Sequence, residues 1–106
     1  MRKVVLNRIK AFAGCACKVS IYISNKLEEG EKITKDKCKF IGKIKNGSSV
    51  EFEIDEEEII VIAAYDSMNV FMPTDHILIT KGNDNVELTG KVKLNPSKGN
   101  PFIFYR

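Results

Sequence analysis

A two-residue rhythm of apolar and polar side chains constrains this chain most, because an extended strand with one covered and one wet face repeats at that period. Val19, Ile21 and Ile23 alternate with Lys18, Ser20, Tyr22 and Ser24. Val50, Phe52 and Ile54 are set in the same way against Glu51, Glu53 and Asp55. The pattern returns at Val86, Leu88, Val92 and Leu94, where Gly90 breaks it and marks a bulge or a close backbone approach. No stretch of a dozen residues carries an apolar stripe at helical spacing. Apolar runs over residues 59–64, 77–79 and 102–105 read as strands covered on both faces, towards the middle of their sheets. Residues 4–9 supply one weaker strand. Turn chemistry separates these pieces at Asn46-Gly47, at residues 82–85 and at residues 95–101. The expected fold is all-β: an antiparallel β-sandwich of about eight strands, with a flattened barrel as its nearest rival.

A chain of 106 residues without a composition shift is one domain over residues 1–106. It should bury roughly 65% of the surface its unfolded form exposes, enough for a core without disulfides. Seventeen basic and fourteen acidic residues leave a net charge of +3, too slight to imply nucleic acid or an anionic membrane as partner. Three cysteines, Cys15, Cys17 and Cys38, cannot all pair within one chain, and they read as thiols of a reducing cytoplasm. The longest apolar run, residues 59–65, falls far short of the roughly 20 residues of a membrane-spanning helix. Arg2 and Lys3, then residues 4–6 and 12–15, loosely imitate a lipoprotein export signal. Asn7, Arg8 and Lys10 interrupt the apolar segment such a signal needs.

One hairpin is specified to the residue. A strand over residues 37–45 puts Cys38, Phe40, Gly42 and Ile44 on one face and Lys37, Lys39, Lys43 and Lys45, with Ile41, on the other. Paired residues share a face, so Ile44 must oppose a core residue such as Val50, which requires a three-residue loop of Asn46, Gly47 and Ser48. Lys43 then faces Glu51, and Lys39 faces Asp55. That pairing turns a four-lysine stripe, otherwise suggestive of nucleic acid, into a neutralised, solvated face.

The candidate sites are few. Cys15, Cys17, Cys38 and His76 lack the paired spacing of a structural zinc centre, and no metal or cofactor is expected. Residues 55–58 read as acidic protection for the apolar run behind them. Residues 66–76 read as a connection unusually rich in apolar side chains, Met68, Val70, Phe71 and Met72. Such a loop either plugs an open end of the sandwich or contacts a partner. The leading expectation is therefore a non-enzymatic interaction module, with a protein partner or self-association through that loop and residues 25–37, and with no catalytic residues. A rival is a small hydrolase or ligand-binding domain using Glu57, Glu58 or Asp66 with His76. A weaker alternative is recognition of carbohydrate or cell-envelope polymer by a sheet face carrying Tyr22.

Several motifs carry a likeness. They are Asn7-Arg8-x-Lys10-x-Phe12-x-Gly14-Cys15, Ile21-Tyr22-Ile23, residues 42–47 with Phe52-Glu53-Ile54, and residues 88–91 with Asn95-Pro96-x-x-Gly99-Asn100-Pro101-Phe102. Over nearly its whole length the chain resembles a family of small, functionally uncharacterised all-β proteins of Firmicutes bacteria. The resemblance implies a compact β domain in a bacterial cytoplasm and no particular activity. Tyr105-Arg106 departs from the acidic end that the family would lead one to expect.

Overall fold

The computed structural model describes residues 1–12, 18–55, 57–67, 70–94 and 100–105, so Cys15, Cys17 and Met68 lie outside the described residues. Among the described residues eight strands follow in order: β1 (Arg2–Arg8), β2 (Val19–Asn25), β3 (Lys39–Ile44), β4 (Ser49–Ile54), β5 (Ile59–Ser67), β6 (Val70–Ile79), β7 (Val86–Val92) and β8 (Phe102–Phe104). They form two four-stranded sheets, one ordered β4-β1-β7-β8 and the other β3-β2-β5-β6. The chain is thus an all-β sandwich rather than a closed barrel.

The core lies between the sheets. Val4, Leu6, Leu88, Val92, Phe102 and Phe104 from the first sheet meet Val19, Ile21, Ile44, Val61, Ala63 and Ile79 from the second, all buried. Each large side chain buried there contributes on the order of 1.5–3 kcal/mol. The inner row of β1 begins and ends with buried arginines, Arg2 and Arg8, flanking Val4 and Leu6. Arg2 donates to the carbonyls of Asp84 (2.9 Å) and Thr80 (2.8 Å). Arg8 donates to the carbonyl of Ile44 (2.8 Å). Guanidinium groups therefore close both ends of the core row by satisfying backbone acceptors that are part-buried at Arg2 and buried at Arg8.

The pairing departs from the sequence expectation in four places. First, β1 and β7 are parallel, Val4 beside Val86 and Leu6 beside Leu88, so the first sheet is mixed. The chain crosses between sheets several times, and strands that neighbour in space need not be linked by a turn. Second, β3 and β4 belong to different sheets. Ile44 lies against Val19 and Lys43 against Ser20, whereas Glu51 lies against Val5 and Glu53 against Lys3. The turn at Asn46-Gly47 is a corner between sheets. Both strands send alternate side chains into the same core, so sorting by face cannot separate such a corner from a hairpin. Third, Ile21 pairs with Gly42 but Tyr22 pairs with Phe40, which makes Ile41 a bulged extra residue. Ile41 packs on the main core, and Cys38 and Phe40 turn to the outer face beside Tyr22. Fourth, β6 and β8 are edge strands, and Leu78 is correspondingly exposed; β5, by contrast, is an inner strand covered on both faces.

The outer face of β2 is not wet. Ser20 and Tyr22 are buried there, and Tyr22, Ile60, Ile62 and Ala64 form a second cluster covered by Leu27, Ile33, Cys38 and Phe71. Residues 26–38, with a 3-10 turn at Lys35–Lys37, fold back over the sheet to supply that cover. Residues 66–67 and 70–76 are strand rather than loop: β5 and β6 continue as one ladder, with Tyr65 opposite Met72 and Asp66 opposite Phe71.

Candidate functional site

A broad concavity lies where β1 and β7 leave the first sheet. Beyond Arg8, the Ile9 amide donates to the Gly90 carbonyl at 2.9 Å, which holds the chain beside β7. Ala11 is then clasped by Asn46, whose side-chain amide accepts from the Ala11 amide (2.9 Å) and donates to its carbonyl (3.0 Å), as a strand partner would. The Lys10 stem lies over Gly47, where an added Cβ would come within 3.4 Å of the Lys10 Cβ. On the far side, the Lys93 amide donates to the Pro101 carbonyl (2.9 Å), and the Tyr105 amide donates to the Thr89 carbonyl (2.8 Å). Between these fixed edges opens a cleft of about 880 Å³.

Leu94, Ile103, Phe12 and Tyr105 give the cleft an exposed apolar lining, and Lys10, Lys91 and Lys93 supply three cationic groups, with Ala11, Asn100 and the core residue Val92 completing it. Among the described lining residues none is acidic. Its size lies within the range of small-molecule and peptide-anchor sites. The β5–β6 ladder ends nearby, since the Tyr65 hydroxyl, opposite Met72, donates to the Asn100 carbonyl at 2.6 Å. Val70 is 53% exposed and Met72 45%, while Phe71 packs edge-on against Tyr22. These three therefore do not plug the sandwich; Val70 and Met72 face outward at its end.

Lys10, Lys18, Lys45 and Lys93 flank the strand ends at the cleft end. The opposite end is mixed in charge, with Asp55, Glu57, Glu58 and Asp84 beside Arg2, Lys26 and Lys81. The expected neutralisation of the β3 lysines by residues 51–55 is absent, because Lys3 takes Glu51 (3.1 Å) and Lys37 takes Glu31 (2.8 Å). With β3 and β4 in separate sheets, the premise of that cancellation fails.

The rival catalytic set is not brought together. Glu57 and Glu58 precede β5, Glu58 sits 3.3 Å from Lys26, and Asp66 lies eight residues further along, roughly 25 Å for extended chain. His76 pairs with Ile62 on an exposed stretch of β6. Cys38 donates to the Thr34 carbonyl, and burial pushes its thiol pKa up, against a thiolate nucleophile. Among the described residues no group of three or more histidine, cysteine or acidic side chains could hold a metal ion. Tyr22 is only 3% exposed, so its ring offers no platform for a sugar. Its hydroxyl donates to Asp66 Oδ2, and the other oxygen, Oδ1, is buried without a partner among the described residues.

Sequence reasoning passed over the cleft. Its lysines stand on two segments, Lys10 after β1 and Lys91 with Lys93 at the end of β7, that become neighbours only through the parallel β1–β7 pair. No helix among the described residues is long and apolar enough to cross a membrane. No family model matches the chain, and neither a curated protein nor a solved structure matches it, so its own geometry carries the reading.

Proposed function

We propose that this chain is a non-enzymatic interaction module that engages a protein partner through the lysine-bearing end of the sandwich. One observation carries the reading. Of the nine large apolar side chains exposed among the described residues, Phe12, Leu94 and Tyr105 border the cleft, and Val70 and Met72 end the adjoining β5–β6 ladder. Uncovered apolar side chains gathered at one place and rimmed by charge are the composition of a contact surface. Methionine and unbranched lysine stems also adapt their shape to a partner.

In-cell photo-crosslinking from positions 72 and 94 tests this, with position 57 at the opposite end as control. The expected result is one discrete adduct from both test positions, the one from position 94 being lost in a Val70→Glu, Met72→Glu variant whose circular dichroism is unchanged. A wild-type chain that forms no adduct and sediments alone as a monomer overturns it.

A further inference from the structure

We infer that the cleft takes an acidic peptide segment, a short extended stretch that seats an apolar side chain on the floor and sets carboxylates against Lys10, Lys91 and Lys93. This rests on the interaction reading above and adds to it the chemistry of the partner.

Charge complementarity selects the occupant. Three ammonium groups with no acidic residue among the described lining leave the site electrostatically unfinished, and an anionic partner completes it. The chain segments adjoining the lining in sequence, residues 13–17 and 95–99, contain no Asp or Glu and cannot supply the missing charge. The neighbouring carboxylate Asp66 is committed to the Tyr22 hydroxyl.

A peptide fits better than the other polyanions. Arg2 and Arg8 are buried against backbone carbonyls, so the described lining carries lysine point charges and, among the described residues, none of the planar forks that grip phosphate in pairs. Leu94 and Ile103, beside the Phe12 and Tyr105 rings, give an apolar surface that accepts a leucine or phenylalanine, and a net charge of +3 is slight for a nucleic-acid partner. A bilayer surface requires a protruding apolar face, whereas this lining is concave. A single buried apolar anchor with flanking ion pairs supports affinity in the micromolar range, made selective by sign of charge.

Fluorescence anisotropy on the full chain decides the matter. The probe is a labelled short peptide with glutamates flanking a central leucine–phenylalanine pair. Its controls are the lysine-for-glutamate version, oligothymidylate and phosphatidylserine vesicles. Saturable binding of the acidic peptide is expected, weakening as salt rises and at least about tenfold weaker in Lys91→Glu, Lys93→Glu. The Lys91→Arg, Lys93→Arg variant should retain it. Equal binding of the basic peptide, preference for oligothymidylate or vesicles, or no saturable binding to a natively folded chain each overturns the inference. The same charge-reversed variant, crosslinked in cells from position 72, separates the two readings. An undiminished adduct leaves the interaction module standing and removes the acidic segment, whereas a wild-type chain without any adduct removes both.

Discussion

Gly90 sits where no other residue fits. A Cβ there would fall 2.3 Å from the Phe102 ring and 2.9 Å from the Ile103 carbonyl, because both pack against the β7 backbone at this point. Gly90→Ala should therefore destabilise the chain by about 1–3 kcal/mol through overpacking, seen as a lower urea midpoint at unchanged slope. Adding Phe102→Leu should return part of the loss. The interrupted alternation at residue 90 announced a bulge or a close approach, and packing selects the approach. Tyr22 behaves otherwise, since nothing local in its strand distinguishes it from a solvated residue. Burial first, then the hydrogen bond to Asp66, pushes its pKa from 10.0 to about 12. A folded-state value raised above the unfolded one means that between those limits the unfolded chain has lost a proton the folded chain keeps. Stability should be fully present below pH 10 and fall as pH rises towards 12, with the loss of slope in Tyr22→Phe as the check. Its partners Phe40 and Phe71 come from strands on either side, so its burial could not be read from alternation alone.

At the scale of elements, bulges decide what the edges do. Ala63 pairs with Asp75 and Ala64 with Pro73, leaving Thr74 as the extra residue of β6. That residue turns towards the short strand β8, where Thr74 Oγ1 donates to the Phe102 carbonyl (2.8 Å) and Asp75 Oδ2 accepts from the Phe104 amide (2.9 Å). Side chains of one sheet thus finish the open ladder of the other and blunt an edge that would invite pairing with a second chain. Thr74→Val with Asp75→Ala should cost about 1–3 kcal/mol for two bonds, speed amide exchange at Phe104 and introduce concentration-dependent association. Analytical ultracentrifugation together with exchange at that amide would show both. The β5–β6 ladder teaches the same lesson. Residues 66–76 look like a connection because Asp66 and Pro73 interrupt the apolar pattern, yet an edge strand tolerates proline and a bulge absorbs the break in phase.

At the scale of the molecule, the parallel pairing of β1 with β7 joins segments some eighty residues apart in the chain and forms the middle of the first sheet. Closing so long a loop before its contacts are made is entropically unfavourable, so refolding should take on the order of milliseconds to seconds, which stopped-flow tyrosine fluorescence would measure. The same pair sets Lys10 beside Lys91 and Lys93 and thereby creates the basic cleft. The amino-acid sequence alone indicated an all-β fold of about eight strands, a sandwich ahead of a flattened barrel, and the core face of most strands, because a period of two is a local property that each strand carries by itself. It also marked Val70, Phe71 and Met72 as unusual without saying which way they turn. Strand order, the corner at Asn46-Gly47, the burial of Tyr22 and the gathering of lysines at one end were decided by tertiary structure. Each depends on which strand lies beside which, and a strand's own alternation says which side is apolar while leaving its neighbour unspecified.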